Sequence, residues 1–182
     1  MKRFNFTVIA SGLDPESKNF ADRFFEAGCD DATISYQKGA IILEFEREAR
    51  NFAEALISAA SDVHRAGAKV EHIEPDYLVS LSDIAGRAHI SRAAVSLFAK
   101  GARGKDFPAP VARVTTESPL WDWVEIARWM FRKRTVSRSV VVEAKIVRAA
   151  NRALEETDGF EKTIFAKKLK AELREEEFAG GN

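Results

Sequence analysis

Cysteine is almost missing from this chain of 182 residues: Cys29 is the only one. An intramolecular disulfide and a cysteine-based zinc site are therefore excluded. Histidine is scarce and scattered, at His64, His72 and His89, without the spacing of a metal centre. No metal and no other cofactor is expected. No apolar run approaches the ~18 residues of a membrane-spanning helix, so no membrane contact is expected. The N-terminus carries no signal-peptide pattern, and the expectation is a cytoplasmic protein. Net charge is missing too, with 28 Lys and Arg against 28 Asp and Glu. A chain that is basic throughout and coats nucleic acid by charge alone is excluded.

The balance conceals segregation. Residues 1–76 carry 9 basic and 14 acidic side chains, a net of −5. Residues 77–134 carry 10 and 5, a net of +5, and residues 135–182 carry 9 of each. With 46% apolar residues the chain can bury real cores.

Phe4, Phe6 and Val8 alternate with Asn5 and Thr7, the mark of a half-buried strand. Asp14-Pro15 is a cap and first turn for a helix to about Ala27, with Phe20, Phe24 and Phe25 on its core face. Strands over 31–37 and 40–46 flank the hairpin dipeptide Lys38-Gly39. A second amphipathic helix spans 51–66, and a last strand spans 69–74. The order β-α-β-β-α-β is that of a ferredoxin-like split. The fold class expected is α+β, with residues 1–75 as a ferredoxin-like domain. An acylphosphatase site is excluded because the loop after the first strand, 11–19, is acidic where phosphate would sit. An RNA platform needs exposed aromatics on a basic surface. Tyr36 and Phe45 are present, but the segment is acidic. A scaffold or protein-contact module is the expected role, and the chain is not expected to be an enzyme.

Residues 78–130 organise the rest. Leu81, Ile84, Ala85 and Ala88 place apolar and small side chains on one short helix. Ser91 is an N-cap for a second, with Val95 and Phe98 on its buried face. His89 lies in the turn between them, at a position that tends to need φ > 0. Phe107-Pro108-Ala109-Pro110 then forces extended chain. A strand over 111–114, a loop tip and a return strand over 119–123 would make a β-wing, followed by a helix over 124–134. This is the order of a winged helix-turn-helix, expected over residues 76–134.

The segment from Leu81 to Trp129 resembles small regulators of the MerR, AlpA and excisionase type. The resemblance rests on Asp83-Ile84-Ala85, Ile90-Ser91-Arg92, Val95-Ser96, Lys100-Gly101, Asp106-Phe107-Pro108-Ala109-Pro110-Val111, Leu120-Trp121, Trp123 and Trp129. It covers under a third of the chain. It implies sequence-specific binding of double-stranded DNA by a bacterial or phage-type transcriptional regulator.

A recognition helix places its first turns against base edges in the major groove. Opposite Val95 and Phe98 stand Arg92, Ala93, Ser96, Leu97 and Lys100. Arg92 suits guanine O6 and N7, Ala93 and Leu97 suit a thymine methyl, and Ser91 and Ser96 suit a base or phosphate. Lys100, Arg103, Lys105 and Arg113 are placed for phosphates. The three tryptophans, Trp121, Trp123 and Trp129, fit core and wing-base packing better than stacking platforms. The alternative is an adaptor whose two domains bind protein partners; a ligand sensor is a more distant one. Residues 135–182 are expected to form a C-terminal helical hairpin over about 140–157 and 160–177, with Phe178 to Asn182 as a tail. Val140, Val147 and Leu154, extended by Phe160, Ile164 and Leu169, form an apolar seam expected to hold a homodimer.

Overall fold

The structure, a computed structural model, describes residues 1–179, with side chains to residue 175. In chain order the elements are β1 (Lys2–Ser11), α1 (Phe20–Glu26), β2 (Ala32–Gln37), β3 (Ala40–Ala49), α2 (Phe52–Arg65), β4 (Lys69–Glu74) and β5 (Leu78–Val79). They continue with α3 (Leu81–Ala88), α4 (Arg92–Ala99), β6 (Trp121–Asp122), α5 (Trp123–Arg132), α6 (Arg138–Glu156) and α7 (Lys162–Ala179). The fold is mixed α+β. It divides into two compact units: residues 1–75 with the chain from Ile146 onward, and residues 76–145. The third domain expected over 135–182 is therefore not a separate body, and the division falls within α6. Helix α7 runs past Glu177 to Ala179, and residues 180–182 of the expected tail lie outside the described residues.

The first unit is built on a four-stranded antiparallel sheet in the order β2-β3-β1-β4. Strand alternation puts Phe6, Val8 and Ala10 on one face, opposite Phe45, Leu43 and Ile41 of β3, and all six are buried. Helix α2 covers that face with Leu56, Ala59, Ala60 and Val63, each fully buried. Burying a side chain such as Leu56 contributes about 1.5–3 kcal/mol. Asn51 caps α2 by accepting from the Glu54 N–H at 2.9 Å.

Helix α1 is shorter than expected. The Asp14 carboxylate accepts from the Glu16 N–H, and the Asp14 carbonyl accepts from the Ser17 N–H and hydroxyl. Those bonds fold 14–19 into turns, and the helix starts only at Phe20. Phe24 is buried, but Phe25, expected in the core, is 68% exposed. Beside α1, the guanidinium of Arg47 sits on the buried side of β3, 7% exposed. It donates to both oxygens of Asp31, to Asp62, to Ser58 and to the Gly28 carbonyl at 2.7–3.2 Å.

The chain from Ile146 completes this unit. Val147, Leu154, Phe165 and Leu169 are buried, and α7 packs on α2. Of the apolar seam expected to join two copies, Val147, Leu154 and Leu169 are buried within this chain, whereas Val140, Phe160 and Ile164 are half-buried. Asn151 of α6 accepts from the Ile73 N–H at 2.8 Å and donates to the Ile73 carbonyl at 2.9 Å. It occupies the outer edge of β4, beside a bulge where β1 skips Glu71.

The second unit starts with a two-residue ladder, Leu78↔Asp122 and Val79↔Trp121. Ser80 and Asp83 form a reciprocal capping box on α3. His89 ends α3 at φ +53°, ψ +40°, the left-handed conformation. The Ser91 hydroxyl accepts from the Ala94 N–H at 3.1 Å and starts α4. Asp122 caps α5 in the same way, accepting from the Val124 N–H at 2.8 Å. The core gathers Ile84, Ala85 and Ala88 of α3, Val95 of α4, and Trp121, Trp123, Val124, Ile126, Ala127, Trp129 and Met130.

Between α4 and β6 the expected pair of wing strands is reduced to one bridge, Ala112↔Leu120. Pro108, Pro110 and Pro119 offer no N–H to a ladder. Arg113, at φ +50°, turns the chain directly after the bridge, and its carbonyl accepts from the Thr116 N–H at 3.0 Å.

Candidate nucleic-acid interface

The position of α4 follows from what it buries. Val95 is fully buried, and Phe98 packs on Phe107 and Trp129 with ring centroids 6.1 and 5.1 Å away. The face opposite is therefore turned outward. Ser91, Arg92, Ala93, Leu97 and Lys100 are exposed, and Ser96 is half-buried. Leu97, a large apolar residue, is 43% exposed.

Arg92 is steadied from α3. Its Nε donates to the Ser82 hydroxyl at 3.1 Å, which leaves its Nη groups without a protein partner among the described residues. Ser82 was not singled out in the sequence. Its signal was only a second serine one position into α3, and nothing local ties it to Arg92.

The loop after α4 is held by indole N–H groups. Trp129 Nε1 donates to the Lys105 carbonyl at 3.0 Å, and Trp121 Nε1 donates to the Pro108 carbonyl at 3.1 Å. The tryptophans are buried anchors. Gly104 lies against this cluster at φ +76°, where an added Cβ would stand 3.1 Å from Trp129 Cζ2. The backbone of Lys105 is thus pinned while its side chain stays exposed. Arg103 is exposed too, with its guanidinium carbon 5.5 Å from the centroid of the Phe98 ring.

Ser91 to Lys100, Arg103 and Lys105 therefore belong to one continuous helix and loop. Arg113 is exposed on a separate segment, at the end of the 112–120 bridge. Two exposed apolar residues flank it, Val111 at 57% and Val114 at 61%, the ends of the strand expected over 111–114. Arg132, Lys133 and Arg134, exposed at the end of α5, add a further basic run.

Residues 76–145 carry 12 Lys and Arg against 7 Asp and Glu. The hydrogen bond from the Ser80 side chain holds the Asp83 carboxyl below its ordinary value. In the first unit, burial, followed by the nearby Asp62 charge, pushes the Cys29 thiol up to about 12. A thiol so shifted stays protonated near neutrality and is a poor nucleophile.

Among the described residues, no helix is long and apolar enough to cross a membrane. No protein-family model matches the chain, and neither a curated protein nor a solved structure matches it.

Proposed function

We propose that the chain binds double-stranded DNA in a sequence-specific manner and acts as a transcriptional regulator of the bacterial or phage type. In this reading residues 76–145 contain a winged helix-turn-helix with α4 as the recognition helix. The sheet order β2-β3-β1-β4 with its two helices is read as ferredoxin-like. The observation that carries the proposal is the outward face of α4. It combines an arginine steadied at Nε, a small residue, an exposed leucine and a terminal lysine on a helix fixed from behind by Val95 and Phe98. That is the donor and methyl-contact set which major-groove edges present partners for. The net charge of +5 over 76–145 supplies the attraction to phosphate. The resemblance of Leu81 to Trp129 to MerR, AlpA and excisionase-type regulators points the same way.

The test is selection from a random duplex library, followed by binding measurements across a salt series. Log affinity should fall linearly with log salt, with a slope of roughly −0.9 per phosphate contacted. Arg92→Ala should cost about 1–3 kcal/mol and relax preference at one base pair. Arg113→Ala should weaken all sequences alike. An unchanged selected motif with Arg92→Ala would reject α4 as the reader. Exposed Val111, Val114 and Leu97 favour one alternative, an adaptor that binds protein through this unit. A flat salt response would support that alternative.

A further inference from the structure

We propose that the outer edge of β2 pairs with the same edge of a second copy of this chain, joining the two sheets across a two-fold axis. The two edges of the sheet differ. At β4 a bulge interrupts the ladder and Asn151 bonds both backbone groups of Ile73. Strand β2 ends the sheet on the other side. Its register with β3 is unbroken, and Ala32–Gln37 contains no proline and no charged residue. Those are the devices by which edges are ordinarily kept from pairing.

The register follows from the ladder. The Asp31 carbonyl accepts from the Glu46 N–H at 3.0 Å. Antiparallel alternation then turns Thr33, Ser35 and Gln37 toward β3, and turns the backbone groups of Ala32, Ile34 and Tyr36 outward. The Ala32 N–H is already bonded to the Cys29 carbonyl at 3.1 Å. Both groups of Ile34, both groups of Tyr36 and the Ala32 carbonyl are left. A two-fold pairing centred on Ile34 sets every outward residue opposite an outward residue. Ile34 meets Ile34 of the second copy, and the Tyr36 N–H meets the Ala32 carbonyl in both directions. Continued beyond the strand ends, the same two-fold brings Asp30, in the turn before β2, to the side of Lys38, in the turn after it. Both are exposed, and the symmetry makes the pair twice.

Exposed aromatic surface lies along this edge. Tyr36 is 48% exposed and shares the helix-bearing face with its register partner, the buried Ile41. On α1, Arg23 bonds the carbonyl of Ala66 at the end of α2, and Phe24 is buried. At 100° per residue from Arg23, Phe25 is directed away from α2. It is 68% exposed. In the pairing, Phe25 and Tyr36 of both copies cover the joint. The inference holds whether or not the other unit binds DNA.

Sedimentation of the full chain from ~1 to ~100 μM tests it, because so short a contact is expected to have a Kd on the order of micromolar. Wild type should form a dimer. Asp30→Lys places like charges beside each other at both ends and should raise the dissociation constant about tenfold. Asp30→Lys combined with Lys38→Asp should restore it. Phe25→Glu should give a monomer with unchanged circular dichroism, since that side chain is outside the core. A wild-type monomer at ~100 μM overturns the proposal and leaves the edge to a different partner. A dimer that ignores Asp30→Lys, or one that the double variant does not restore, overturns it as well.

Discussion

Arg47 occupies a position on β3 that alternation assigns to an apolar side chain, and all five of its N–H donors are used there. Its partners come from the turn after α1, from Asp31 and from α2, so one guanidinium fixes three segments. Removing one member of a buried ion pair leaves its partners uncompensated, at about 3–5 kcal/mol. Arg47→Met should lower the unfolding free energy of the first unit by that amount, measured by urea titration. A loss below ~1 kcal/mol would mean that Asp31 and Asp62 rehydrate freely. Asp83 offers a pH test in the other unit. Its folded pKa lies below the unfolded one, chiefly through the Ser80 hydroxyl. Its contribution is complete above the unfolded carboxyl range near ~4 and fades as pH falls through the folded value. Wild type should therefore melt higher than Asp83→Asn at pH 7, and the difference should shrink as the pH falls below the unfolded carboxyl range. A difference that persists in acid would assign the effect to side-chain shape instead of charge.

Helix α6 protects β4 through one side chain. Asn151 is 1% exposed and mimics a neighbouring strand at Ile73, donating and accepting at once. Asn151→Ala leaves a buried N–H and carbonyl without partners, at about 1–3 kcal/mol for each group left unsatisfied. Hydrogen exchange should show the Ile73 amide losing protection ahead of β1 and β3. Uniform exchange across the sheet would mean that water replaces the amide. The apolar spacing along α6 was legible, and so was the helix. Its destination was not, because a stripe of Val147, Ala150 and Leu154 is the same stripe whether it covers its own sheet or a second chain. The short wing is a similar case. A pair of strands was expected there, but three prolines and a left-handed Arg113 leave the ladder a single bridge.

The chain returns after residue 145 to complete what its first 75 residues begin, so the sheet unit is discontinuous in sequence. Ending the chain at Lys145 would remove the buried Ile146, Leu154, Phe165 and Leu169. At about 1.5–3 kcal/mol for each side chain, this rivals the ~5–15 kcal/mol stability of an ordinary domain. The truncated chain should lose the sheet unit to limited proteolysis while 76–145 remains protected. A stable, protease-resistant 1–75 would show that the four strands and two helices suffice.

What could be read along the chain is whatever depends on neighbours within a few residues. The strands of β1 and β3, the cap Ser91, the left-handed turn at His89 and the outward face of α4 all follow from alternation, helical period and short hydrogen bonds. The bond from Arg92 to Ser82, the cage around Arg47 and the return of α6 to β4 depend on residues 10 to 78 positions apart. Such contacts carry no periodic signal, since a buried partner is chosen by packing in three dimensions and not by spacing along the backbone.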